Sequence, residues 1–281
     1  MPQLLCTVRN CHLPLAREER RVVCVRGHTF DIARSGYINL LQPQERRSRK
    51  PGDSVEAVAA RRRFLNRGHA EPLLRAIRAM LPDAQEILDA GCGEGYYLFG
   101  VRRLAAALKA GSLLPAAATS RGKESGAKAP HSKGYCGIDI STAAIDLAAR
   151  RYPQCEWVVA NADRFIPYAS DSFDLVLSIT GRMNSSEFRR VLRDGGALLV
   201  AVAAPDDLLE LRGSRGRDRV ARTLETFGDG YEMIARERAT TIAELDAEDA
   251  RDILRATYRP REGPPQRVTL SFDLMLFRVS P

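Results

Sequence analysis

The chain has 281 residues, 44% of them hydrophobic, and a formal net charge of +8 at neutral pH. That length accommodates one large domain plus a small one, and no apolar run approaches the roughly 20 residues of a membrane span. No secretory signal pattern opens the chain, because Cys6, Arg9 and Cys11 interrupt any apolar stretch, so a cytoplasmic location and no membrane partner are expected.

The charge is unevenly placed. Residues 1–67 carry 14 Lys and Arg against 6 Asp and Glu, whereas the rest of the chain is balanced at 29 of each. A polyanion-binding end joined to a neutral body accounts for this, with a solvated basic surface as the alternative. Residues 1–45 read as a small turn-rich module with β-like pieces at 21–24 and 38–41. So small a unit needs a staple. Cys6, Cys11, Cys24 and His28, spaced C-x4-C and C-x3-H, supply four donors for a closed, structural zinc site. His12 competes with its neighbour Cys11 as a ligand. Cys92, Cys136 and Cys155 stand alone and read as buried small hydrophobes.

Residues 46–81 form a basic linker followed by two helices. The run Arg46-Arg47-Ser48-Arg49-Lys50-Pro51-Gly52-Asp53 is the linker, Ser54 caps a first helix that Gly68 ends, and a second helix covers 71–81. Residues 82–281 then alternate. Strands are predicted at 86–90, 135–140, 156–160, 173–179 and 197–203, and helices at 96–108, 143–151 and 187–192. This is the βαβ rhythm of a Rossmann-like, doubly wound α/β sheet. Arg193-Asp194-Gly195-Gly196 reads as a turn before the fifth strand. The tail offers 231–235, a helical pattern over 243–257 and an alternating run over 268–277, which predict an antiparallel hairpin at the edge of a mixed sheet. Residues 109–133, rich in Ala, Gly, Ser and Lys, read as a flexible insertion.

The most informative stretch is Asp89-Ala90-Gly91-Cys92-Gly93-Glu94-Gly95, a strand-to-helix turn of the kind that cradles nucleotides. Its glycines alternate, unlike the dinucleotide fingerprint. The carboxylates of Asp89 and Glu94 repel a pyrophosphate and suit a cationic, phosphate-free nucleoside such as S-adenosylmethionine. Asp139 ends the next strand, where an acidic residue accepts both ribose hydroxyls. Asn161, Ala162 and Asp163 follow the third strand, where the adenine would sit, and Asp163 can accept from its amino group.

Taken together these residues resemble the RlmA-type 23S rRNA (guanine-N1)-methyltransferases. The resemblance runs through the zinc ligands with Gly27-His28-Thr29-Phe30-Asp31, then Gly36-Tyr37-Ile38-Asn39-Leu40-Leu41, Arg47 to Ser54, Ala60 to Leu65 with Gly68-His69, and Asp89 to Tyr97. It covers nearly the full length and weakens after Pro205. It implies a class I methyltransferase fold with a small N-terminal zinc-binding, RNA-recognising module. The implied activity is methyl transfer from S-adenosylmethionine to a guanine N1 in a 23S rRNA hairpin near the peptide exit tunnel, with a homodimer allowed. In-line displacement needs orientation above all. Arg46, Arg47, Arg49, Lys50 and Arg61 to Arg63 are expected on phosphates. No residue declares itself as the general base, and Asp163 and Asn184 are the candidates. The chain departs from the family in its longer first cysteine loop, in Ala70 where a tyrosine is usual, and in Thr180-Gly181-Arg182-Met183-Asn184 where a Pro-Cys segment is usual. A methyltransferase for another RNA or a small molecule, and a non-catalytic RNA-binding relic, are the rival expectations.

Overall fold

The computed structural model describes residues 1–9, 11–45, 52–109, 134–259 and 263–280. Within the basic linker 46–53 and the insertion 109–133, residues 46–51 and 110–133 lie outside the described residues. Near the start, β1 (Leu15–Arg17), β2 (Arg21–Cys24) and β3 (Thr29–Asp31) form a small antiparallel sheet in that order. Its apolar side chains are few, and Val22, Leu15 and Phe30 point into a core shared with the rest of the chain.

The large sheet is built from β4 (Ile38–Asn39), β5 (Ile87–Ala90), β6 (Tyr135–Asp139), β7 (Glu156–Val159), β8 (Phe173–Ile179), β9 (Leu192–Ala203), β10 (Tyr231–Glu244) and β11 (Arg267–Val279). Its order is β10-β11-β9-β8-β5-β6-β7-β4. The strands from β4 to β9 run parallel, and β11 is antiparallel to both neighbours. The doubly wound mixed sheet expected from the alternating pattern is therefore present, with its edge hairpin. Strand periodicity sorts the side chains between two cores. Ile87, Leu175 and Leu177 pack on one face with Leu73, Ile77 and Leu98, whereas Leu88 and Val176 pack on the other with Tyr168, Phe188 and Phe227.

Three local expectations need adjustment. The 38–41 piece contributes β4 to the large sheet, pairing Ile38 with Val158 and Asn39 with Val159, so the N-terminal segment is stitched into the body. Arg193 to Gly196 lie inside β9 as a bulge, since the β8 register jumps from Phe173↔Leu192 to Leu175↔Ala197. The tail strand runs to Glu244, and α8 (Ala247–Ala256) starts only there, behind a capping box formed by Asp246 and Asp249.

The helices α1 (Val55–Asn66) and α2 (Glu71–Met80) cover the sheet beside α3 (Tyr96–Lys109) and α4 (Thr142–Arg151). Ser54 caps α1 by accepting from the Ala57 amide at 3.2 Å. Helix α1 packs against α8, and charge zips the seam. Arg63 Nε donates to Asp252 Oδ2 at 2.9 Å and Arg63 Nη2 to Asp252 Oδ1 at 2.5 Å. Arg67 meets Asp246, Glu248 and Asp249, and His69 Nε2 lies 3.0 Å from Asp249 Oδ2. Arg61 pairs with Asp53 at 2.5 Å. Arg61 and Arg63, expected on phosphates, thus face carboxylates of their own chain. The sequence shows their charge but not the α8 acids, which lie almost 190 positions away for Arg63.

Asp252 is nearly fully buried, so removing its fork leaves a carboxylate without its main partner. Arg63→Ala is expected to cost about 1–3 kcal/mol. A thermal melt should show a loss of roughly 2–4 °C per kcal/mol, and an unchanged melting temperature refutes the clamp.

Candidate cofactor cleft and metal cluster

The glycine turn sits where β5 hands over to α3, at the carboxyl edge of the parallel strands. Ligands of doubly wound sheets bind at that edge. The Gly91 and Cys92 amides both donate to the Ile138 carbonyl, at 2.8 and 3.0 Å, which fastens the turn to β6. The Gly93 amide donates to Asp139 Oδ2 at 3.0 Å, and the Ser141 amide to Asp139 Oδ1 at 2.8 Å. Each carboxylate oxygen retains acceptor capacity after one such bond. Trp157, the only tryptophan, lies beneath the turn. A methyl group on Gly95 would come 2.5 Å from its indole, and one on Gly137 would come 2.4 Å from it. Gly95 also has φ of +83°, so close approach and backbone conformation both require glycine there.

Three carboxyl groups meet at the turn. Asp89 is 1% exposed and Glu94 5% exposed. Burial pushes the Asp89 carboxyl up to about 8, and the charges of Asp139 and Glu94 add to the effect. Its Oδ1 has no hydrogen-bond partner among the described residues. Burial also raises Glu94, while Arg61 pulls it back down. For Asp139 burial raises the carboxyl and the Ser141 and Gly93 amides lower it. Arg61 is the main cation facing this group, and Arg62 adds a smaller pull on Glu94. Burial opposes the charge of Arg61, and Asp53, Glu94 and Asp139 outweigh that. Nothing in the primary pattern singles out Arg61 or Trp157 for this site.

The loops after β7 and β8 close the far side. Asn161 Oδ1 accepts from the Asp163 amide at 3.1 Å. Asn184 Nδ2 donates to the Ala162 carbonyl at 3.0 Å and to the Asp163 carbonyl at 3.1 Å. Asn184 Oδ1 also accepts from the Glu187 amide, at 3.4 Å, as the N-cap of α5 (Ser185–Val191). With donors and acceptor engaged, Asn184 is a loop staple and leaves the list of candidate bases. Asp163 faces Arg182 at 3.7 Å across the same gap. Thr180, at the end of β8, has φ of +53°. A β-branched residue in the left-handed region is strained, and such strain concentrates at functional loops.

A second cluster lies in the N-terminal segment. One donor atom from each of Cys6, Cys11, Cys24 and His28 lies within 4.8 Å of the others. Cys11 Sγ and Cys24 Sγ are 3.8 Å apart, and the His28 Nδ1 atom is 3.4 Å from both Cys6 Sγ and Cys24 Sγ. Tetrahedral ligands on zinc with bonds of roughly 2.0–2.3 Å fall at about these separations. The donor set therefore fits such an ion, through Nδ1 of the histidine. His12 takes no part. Its ring stacks on Phe165 with centroids 4.2 Å apart and planes 10° from parallel.

The N-terminal residues 5–49 match the family model of the RlmA N-terminal zinc ribbon, and residues 117–200 match that of a methyltransferase domain. The chain is 32% identical over 250 residues to a 23S rRNA (guanine(748)-N(1))-methyltransferase of Streptomyces fradiae, covering 84% of this chain and 79% of the relative. A Bacillus subtilis protein described as a putative 23S rRNA (guanine-N(1)-)-methyltransferase is 30% identical, covering 94% of this chain and 89% of its own. Among solved structures, the complex between the Haloferax volcanii Trm112 methyltransferase activator and the putative methyltransferase shares the fold. Its TM-score is 0.50 at 18% identity, over 82% of this chain and 99% of that one. The sheet is that of a class I methyltransferase.

The raised Asp89 carboxyl carries a pH signature. The unfolded chain releases this proton near roughly pH 3.9, whereas the fold keeps it to about 8. Stability of the ligand-free protein therefore falls as pH rises through that window, by at most about 1.4 kcal/mol per unit from this group. Asp89→Asn removes the contribution. Denaturant titrations at pH 6 and pH 8 should show a smaller loss in the variant, and equal losses refute the burial argument.

Proposed function

The chain belongs to the RlmA-type 23S rRNA (guanine-N1)-methyltransferases, and from that premise we propose how its residues divide the work. The methyl donor is S-adenosylmethionine, and the acceptor is guanine N1 in a 23S rRNA hairpin at the peptide exit tunnel. The Streptomyces fradiae relative is named for guanine 748, so the hairpin holding that base is the first substrate to test. When bound, the donor supplies an already activated methyl group on a sulfonium.

The observation that carries the cofactor assignment is the orphaned, buried Asp89 Oδ1 beside a backbone turn whose Gly93 position opens onto free space. A cationic amino group is the natural partner for such an oxygen, and its charge would favour the ionised carboxylate. Asp139 holds the ribose hydroxyls with the acceptor capacity left on its two oxygens. Gly91, Gly93 and Gly95 admit the nucleoside close to the backbone, and Glu94 with Arg61 balances charge at the turn. Asn161, Ala162 and Asp163 form the wall for the adenine. The loop from Thr180 to Asn184 faces the acceptor base and sets its distance from the methyl group. Catalysis at this level is orientation, which can contribute several kcal/mol without any covalent role for the protein. The target base must leave its stack to arrive there.

Cys6, Cys11, Cys24 and His28 take zinc. Four protein donors leave no open coordination position, so the metal stabilises the N-terminal fold and does no chemistry. The changed loop at 180–184 favours one rival reading, in which the same machinery methylates a different RNA.

Incubating the protein with labelled donor and 23S rRNA should yield N1-methylguanosine, identified by mass spectrometry of nuclease digests. Replacing the target guanine by adenine should abolish incorporation. Persistent incorporation into the replaced RNA supports the rival substrate, and no incorporation into any RNA rejects the reading. For the metal, Cys24→Ser should carry substoichiometric zinc by atomic absorption. It should also lose hydrogen-exchange protection across β1 to β3. Retention of one zinc per chain excludes this ligand set.

A further inference from the structure

An arginine surface lies outside both clusters. β9 ends at Ala203 on the edge that carries the cleft, and the Thr180 amide donates to the Ala201 carbonyl there at 2.8 Å. Neighbouring strands are about 4.8 Å apart, so the chain leaves β9 beside the loop that faces the acceptor base. It then passes through α6 (Leu209–Arg212) into α7 (Val220–Thr226) with the sequence Arg212-Gly213-Ser214-Arg215-Gly216-Arg217-Asp218-Arg219-Val220-Ala221-Arg222.

Arg212 turns inward, with Nη2 3.6 Å from Asp207 Oδ2. Arg215, Arg217, Arg219 and Arg222 are exposed. Among the described residues no carboxylate lies within ion-pairing distance of these four, in contrast to Arg61, Arg63 and Arg67. The one acid within the run, Asp218, accepts from the Val220 amide at 2.8 Å. The backbone beneath the four is anchored. The Gly213 amide donates to Leu209 at 2.9 Å and the Gly216 amide to Pro205 at 2.6 Å, while Val220 and Thr223 are buried. Four like charges on a fixed loop repel one another until a polyanion arrives. Guanidinium forks match phosphate oxygens in geometry as well as charge.

We infer that Arg215, Arg217, Arg219 and Arg222 form a second RNA grip, binding phosphates of the strand that flanks the base presented to the Thr180 to Asn184 loop. This rests on the rRNA reading and adds a contact on the methyltransferase body, separate from the N-terminal basic segment.

The test is fluorescence anisotropy with the 23S rRNA hairpin between 50 and 200 mM salt, values of the order used to expose counterion release. The triple variant Arg215→Ala, Arg217→Ala, Arg219→Ala should bind at least about tenfold more weakly, with a log–log salt slope shallower by about 2–3. The matching triple lysine variant should recover most of the slope, because phosphate contact needs charge. Calorimetry with the methyl donor reports that each variant is folded. Steep wild-type binding that the alanine variant retains overturns the second grip alone. Wild-type protein with no salt-dependent hairpin binding overturns both the grip and the rRNA reading.

Discussion

One hydrogen bond organises the molecule: the Gly93 amide to the carboxylate of Asp139, at 3.0 Å. It joins the turn after β5 to the end of β6, and it does so across the gap that the ligand must enter. The turn can reach Asp139 only because it is pressed down onto Trp157, and that descent is possible only where Gly95 and Gly137 lack side chains. The arrangement accumulates negative charge. Asp89, Glu94 and Asp139 would repel one another if all were ionised, and burial leaves them poorly solvated. The ligand-free fold therefore keeps a proton or a cation close. Arg61 supplies part of that positive charge, and a sulfonium donor supplies the rest in the reading proposed above.

The position of Arg61 links the cleft to the outer helical layer. It sits on α1 with Arg63, and Arg67 caps the same helix; the partners of those two lie on and before α8. Arg61 Nη2 also donates to the Ala256 carbonyl of α8 at 3.5 Å, so the α8 insertion between β10 and β11 touches the side chain that faces the carboxylates of the turn. His69 extends the same seam, its ring tilted 32° against that of Phe64 with centroids 4.7 Å apart while facing Asp249. Ala70 follows it, buried and without a side-chain cap for α2.

Much of the fold was legible from periodicity, because strands with two buried faces and helices with one leave strong patterns. The doubly wound mixed sheet follows from the βαβ rhythm, and the clustering of Cys6, Cys11, Cys24 and His28 from their spacing. What escaped the sequence was long-range. β4 is two residues long, and its place beside β7 depends on register with Val158 and Val159. Ion pairing of Arg63 depends on an aspartate in the last third of the chain. Asn184 looked like a polar group near the chemistry, yet its amide is taken up by two carbonyls and a helix cap. In each case the residue type was visible and its partner was not.

Charge shows the same principle in its sharpest form. The count by segment locates the whole excess in residues 1–67 and makes the body neutral. Neutrality on average conceals segregation. On the body, Asp246, Asp249 and Asp252 turn toward α1 and pair with arginines from the basic segment, whereas Arg215, Arg217, Arg219 and Arg222 have no carboxylate within ion-pairing distance among the described residues. A formal sum cannot detect this exchange, since it moves no charge between sequence windows. The field that an approaching polyanion meets is set by the unpaired arginines. They flank the outlet of β9, next to the strained Thr180 loop. In the reading proposed above, the acceptor strand is drawn toward the edge of the sheet where the donor cleft opens, and the body's arginine loop adds its grip to that of the N-terminal basic segment.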